Sequence, residues 1–296
     1  MLLRLLAILA IGQTSACATV PDRSETSFQS DRISVEVRGS GPDVVLVPGL
    51  GSSPAVWQDA VAAIPGYRYH LVHVAGFAGA PAAGNARGAV VAPVGEEIAR
   101  YVEAMHLRRP AVVGHSLGGI WAMGLAARHP ELVSRVMVVD MLPFPGVLFG
   151  GPSATPQSLA PTAAQLRQAL AAAAGEQRRQ LAETTIAGMV RTEARRAGPI
   201  ADYLASDPQV VAQAMSELVV TDLRPELANI HVPLTVLWVR NPSLPVTEAQ
   251  MAQVYRDSFA AAPQARIVRV PDAYHFIMLD EPARFQAALQ EFLAAR

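Results

Sequence analysis

The stretch Val112-Val113-Gly114-His115-Ser116-Leu117-Gly118-Gly119 opens as an apolar run and continues, without a break, into the helical pattern of residues 117–128. It predicts a strand, a tight turn and a helix, with Ser116 on the turn. The spacing is G-x-S-x-G, and its setting is the one in which that spacing makes a nucleophile elbow. A serine on so sharp a turn is held in a strained backbone conformation, with its Oγ projecting from the sheet edge. Side chains at 114 and 118 would collide with the neighbouring strand and helix, so both positions call for glycine. The helix that begins at Leu117 aims its free N-terminal amides at the turn, where they can stabilise an anion. Ser116 is thus the candidate nucleophile, and the Leu117 amide one candidate donor to an oxyanion.

Two further segments complete the pattern. Upstream, Val45-Leu46-Val47-Pro48-Gly49-Leu50-Gly51 is an apolar run followed by a Gly-rich loop. A second oxyanion donor is expected from a loop after an early strand, which points to the amide of Leu50. Downstream, Val270-Pro271-Asp272-Ala273-Tyr274-His275-Phe276 follows the last strand-like run and precedes the last helical pattern. Of the seven histidines, only His275 lies on a loop after the final strand and downstream of the serine, where a general base is expected. His115 lies inside the elbow and is read as pointing away from the serine. His70 and His73 read as packing or surface residues of a strand, and His106, His129 and His231 as solvated residues at helix ends and connections. None of these has metal-ligand spacing, so no metal and no cofactor is expected.

Outward from these motifs, short apolar runs at 33–38, 44–47, 71–74, 111–113, 136–139, 234–239 and 266–270 alternate with helical patterns at 55–63, 94–105, 117–128, 247–260 and 282–295. Such alternation predicts an α/β fold, a mostly parallel, doubly wound sheet covered on both faces. The alternation stops after Asp140 and resumes near Pro233. The chain between opens with Pro143-Phe144-Pro145-Gly146 and turns helical at 162–174, 176–196 and 208–221. The expected division is a core of residues 27–140 and 222–296 with an inserted helical cap at 141–221.

Composition narrows the functions. The chain has 296 residues, 51% of them hydrophobic and 17% charged, which excludes disorder as its main state. Its net charge of -1 and lack of a basic stripe argue against a nucleic-acid partner. All 24 Lys+Arg residues are arginine, which removes the lysine of phosphate-binding loops and every Schiff-base mechanism. The one cysteine, Cys17, excludes disulfide scaffolds and thiolate metal centres. Residues 1–18 read as an export signal: Arg4, a short apolar run, then Ala16-Cys17-Ala18 as a small-residue cleavage site. That run is too short to span a bilayer core of about 30 Å. Cleavage after Ala18 would release a protein of the periplasm or exterior, while the alternative route through Thr14-Ser15-Ala16-Cys17 would leave a lipid anchor on Cys17.

With Pro48-Gly49-Leu50-Gly51, the elbow around Ser116 and Tyr274-His275-Phe276 in this order, the chain resembles an α/β-hydrolase with a helical cap, over residues 33–293. The resemblance implies a serine hydrolase acting on a small, largely apolar carboxylic ester through an acyl-enzyme. Serine relatives also cleave C–C bonds, lactones and amides.

The chain departs from the family at one place. The triad acid usually follows the penultimate strand, and here Asn241-Pro242 stands there. An asparagine cannot stabilise an imidazolium as a carboxylate does. Asp140, at the end of the strand 136–139, is the leading replacement, since some relatives carry their acid there. Asp272, Glu248 and a triad without an acid remain as alternatives. The missing acid also leaves open a non-catalytic binding protein on a hydrolase scaffold, against which the strained elbow counts. Met141, Phe144 and Leu148, in the apolar run just past Asp140, are expected to line the substrate pocket.

Overall fold

A computed structural model describes residues 28–241 and 245–295. The reading of residues 1–18 as an export signal, with the question of a lipid on Cys17, lies outside the described residues. Among the described residues, seven strands form one sheet: β1 (Ile33–Gly39), β2 (Asp43–Val47), β3 (Arg68–Val74), β4 (Ala111–His115), β5 (Arg135–Val139), β6 (Leu234–Trp238) and β7 (Arg266–Arg269), in the order β1-β3-β2-β4-β5-β6-β7. Of these, only β1 runs antiparallel to its neighbour. It is an edge strand and alternates apolar and polar residues, whereas the central strands DVVLV, AVVGH and RVMVV are Val-rich and buried almost throughout. That contrast is the signature of a sheet covered on both faces.

The two-residue period of the strands sorts side chains into two cores. Val45, Val47, Val112, Val136, Val138, Val236 and Trp238 face helices α2 (Val91–Ala104), α3 (Leu117–Arg128) and α9 (Glu248–Ser258). Val44, Leu46, Val113, Met137, Val139 and Leu237 face α1 (Gln58–Ala63), α10 (Ile277–Asp280) and α11 (Pro282–Ala294).

Between β5 and β6 the chain is helical: α4 (Val147–Gly150), α5 (Pro156–Ala172), α6 (Gly175–Met189), α7 (Ala197–Ala205) and α8 (Pro208–Val220). Its element boundaries differ from those expected. Helix α5 starts ahead of Pro161, because Thr155 and Ser158 form a reciprocal capping box and Pro156 takes the first turn. The single pattern expected at 176–196 divides into α6 and a 3-10 turn at Glu193–Arg195, and α7 begins just after it. The break is at Val190, which is extended, and beyond it the amides of Arg191 and Thr192 turn to the carboxylate of Asp280.

Candidate active site

Sheet register brings the site together. His115 pairs with Val139, and Val139 with Leu237, so Ser116 and Asp140 leave adjacent strands at the same level. The Ser116 amide donates to the Val139 carbonyl at 3.0 Å, and the Asp140 amide to that of Leu237 at 2.8 Å. Ser116 has φ 53° and ψ -124°, outside the conformations that a serine adopts freely. The turn closes only because its flanks lack side chains: a Cβ on Gly114 would stand 2.0 Å from the Gly118 carbonyl oxygen, and one on Gly118 would stand 2.2 Å from that of Val47. The tight contact at Gly118 also holds the end of β2, and with it the loop carrying Leu50, against the elbow. Among the described residues, neither the Leu50 nor the Leu117 amide donates to a backbone carbonyl. Both are therefore free to serve an oxyanion.

His275 meets Asp140. Its Nδ1 donates to Asp140 Oδ2 at 2.7 Å, across 135 residues of chain. The other carboxylate oxygen, Oδ1, accepts from the Val239 amide at 3.1 Å and from the Tyr255 hydroxyl at 3.0 Å. With Nδ1 carrying the proton, the neutral ring keeps its lone pair at Nε2, as a base requires. The ring of His115 lies 4.7 Å from that of His275, and its Nε2 donates to the His275 carbonyl at 3.0 Å. His115, inside the elbow, thus anchors the backbone of the histidine loop. Burial, and then the neighbouring His275, hold the proton affinity of His115 well below the usual histidine range, so this ring stays neutral.

Of the other candidates, Glu248 pairs with Arg269 at 2.8 Å. For Asp272, the bond from Arg191 at 2.7 Å is accepted by the backbone carbonyl and not by the carboxylate. Asn241 donates its amide to the Gly188 carbonyl at 3.1 Å. Asp280 was not foreseen. Its carboxylate accepts from the amides of Arg191, Thr192 and Tyr274 at 2.8–3.0 Å, which ties the end of α6 to the histidine loop. The Phe276 amide adds a bond to the Met189 carbonyl at 3.1 Å. A sequence signal existed for Asp280 in its closeness to His275, but its cap partners lie some 90 residues away.

The expected pocket residues separate. Met141 is buried at the elbow, its Cβ 3.1 Å from where a Cβ on Gly119 would stand. Phe144 is fully enclosed with Ala154, Leu159, Ala163 and Val219, under the guanidinium of Arg224 at 4.5 Å, so its ring packs within the cap. Leu148 is 46% exposed on α4, on the outside of the cap segment.

The sequence profile of the alpha/beta hydrolase family matches residues 44–288. A pimeloyl-[acyl-carrier protein] methyl ester esterase of Vibrio cholerae is 29% identical over 268 residues, 87% of this chain and 96% of that protein. The enzyme of the same name from Aeromonas hydrophila is 39% identical, but over 112 residues, 38% of this chain and 42% of that protein. A hydrolase from Pseudomonas aeruginosa has a similar fold, with a TM-score of 0.73 at 21% identity over 89% of this chain and 94% of the other.

Proposed function

Because the chain belongs to the alpha/beta hydrolase family, we propose that Ser116, His275 and Asp140 act as nucleophile, base and acid in the hydrolysis of a carboxylic ester. The observation that carries this reading is the 2.7 Å hydrogen bond from His275 Nδ1 to Asp140, which supplies the carboxylate that Asn241 cannot. His275 Nε2 takes the proton of Ser116 as Oγ attacks the ester carbonyl. The amides of Leu50 and Leu117 stabilise the oxyanion. Nε2 then returns the proton to the departing alkoxide and leaves an acyl-serine. Water, deprotonated by the same nitrogen, attacks the acyl carbon and releases the acid. Asp140 holds the ring in its tautomer and stabilises the imidazolium.

The relatives named as methyl ester esterases support a small alcohol as the leaving group. The apolar Met141 beside the elbow supports a neutral acyl group. Labelling with a fluorophosphonate probe, followed by a panel of neutral and charged esters, tests the reading. Wild type should label at Ser116 and turn over neutral short-chain esters, and Ser116→Ala should do neither. An unlabelled wild-type protein would make the fold a binding scaffold. A preference for charged acyl groups would overturn the substrate class.

A further inference from the structure

The acid of this site is held by a residue that no motif announces. Tyr255 lies on the buried stripe of α9, with Met251 and Ser258. Its ring stacks on Trp238, at 5.3 Å between centroids, and on Phe259, at 6.4 Å and 5° between planes. From that stack the hydroxyl reaches across 115 residues of chain to Asp140 Oδ1. Burial, and then the charge of Asp140, push the phenol well above its usual range, so it keeps its proton and remains a donor.

The division of labour on the carboxylate has a mechanical consequence. One oxygen serves His275, and the other receives two donors, the Val239 amide and the Tyr255 hydroxyl. Each donor fixes a direction, and together they define the plane in which Oδ2 faces the imidazole. The Val239 amide alone would leave the carboxylate able to rotate about its Cβ–Cγ bond. Small errors of aim in catalytic groups are expensive in rate.

We propose that Tyr255 is a positioning residue, whose hydroxyl sets the plane of the Asp140 carboxylate and, through it, the aim of His275. The inference rests on the triad reading above. Tyr255→Phe removes the hydroxyl and keeps the ring between Trp238 and Phe259. On a short neutral ester it should lower kcat about 10- to 150-fold, the range of one lost charge-assisted hydrogen bond, with KM within about twofold of wild type. Added to Asp140→Asn, where no carboxylate is left to aim, it should change kcat less than about twofold. The low-field proton resonance of His275 Nδ1 should move in Tyr255→Phe and vanish in His275→Ala, a signature independent of turnover.

A kcat near wild type in Tyr255→Phe, beside an inactive Asp140→Asn, would overturn the inference and leave the triad standing. Equal losses in the wild-type and Asp140→Asn backgrounds, or an unmoved resonance, would also overturn it, since the tyrosine would then act through the fold and not through the acid. Full activity in Asp140→Asn would instead remove the triad reading, and the inference with it.

Discussion

The same three residue types, His, Asp and Tyr, meet at both ends of the sheet. At the end where the strands finish, His275 gives Nδ1 to Asp140, and Tyr255 binds the far oxygen of that acid. At the end where β2 and β3 begin, His70 bonds Asp43 through Nε2 at 2.9 Å and Tyr101 through Nδ1 at 2.7 Å. Asp43 is also paired with Arg68 at 2.5 Å. Burial raises the Tyr101 phenol to about 12, so it donates to His70, and both ring nitrogens of His70 are occupied. His275 has one nitrogen committed to the acid and, among the described residues, no partner on the other. The difference lies in which atom the tyrosine takes. On the acid it leaves the second imidazole nitrogen free, while on the imidazole it uses up the lone pair. The His70 cluster borders a cavity of about 1,680 Å³ lined by Asp43, Arg68 and Tyr101, yet its histidine has nothing left with which to accept a proton. A His–Asp contact beside a cavity therefore does not by itself make a general base, which also needs a free ring nitrogen.

Substitutions at the two acids test this comparison most strongly. Asp140→Asn should lower kcat by a factor on the order of 10⁴, as loss of the acid does in serine proteases, while Asp43→Asn should leave kcat near wild type. Asn241→Asp added to Asp140→Asn should recover only a small part of the lost rate, because position 241 faces the Gly188 carbonyl. Steady-state kinetics on one neutral ester decides both points, and comparable losses at the two acids would erase the distinction.

A smaller effect is expected at His70. His70→Phe leaves the Tyr101 hydroxyl and Asp43 without their shared partner, and should cost roughly 1–3 kcal/mol of stability with kcat unchanged. Denaturant unfolding alongside activity checks it, and a fall in kcat without a loss of stability would contradict it.

The smallest effect is on pH dependence. Burial lowers the proton affinity of His70 below the ordinary value of 6.5, and Asp43 only partly offsets it. From 6.5 downward the unfolded chain then binds more protons than the folded one, so the contribution of His70 is present above 6.5 and is lost as pH falls through the folded value. Melting temperature should fall between pH 7.5 and 5.5, and fall less in His70→Gln. Parallel slopes in the two proteins would place the acid sensitivity elsewhere, with the buried His115 the next residue to examine.

Most of the fold was legible because its signals are local. Val-rich runs such as AVVGH must be central strands, and the alternating ISVEVRG must be an edge. The elbow could be read from one octapeptide, since strand, strained serine and glycines are neighbours in sequence. Cap boundaries were less legible. Val190 breaks a helical pattern only because Asp280, far along the chain, takes the amides that follow it. Phe144 and Leu148 share one apolar run, and their fates differ by which face the cap buries.

The sequence by itself determined the α/β class, the strained Ser116, the loop histidine and the absence of an acid at the usual place, since each is written within a few consecutive residues. Only the tertiary structure decided which carboxylate reaches His275 and what steadies it. Asp140 meets its three partners across 135, 115 and 99 residues. Contacts of that separation are set by strand register and by the face on which α9 packs. No periodicity within a single segment records either one.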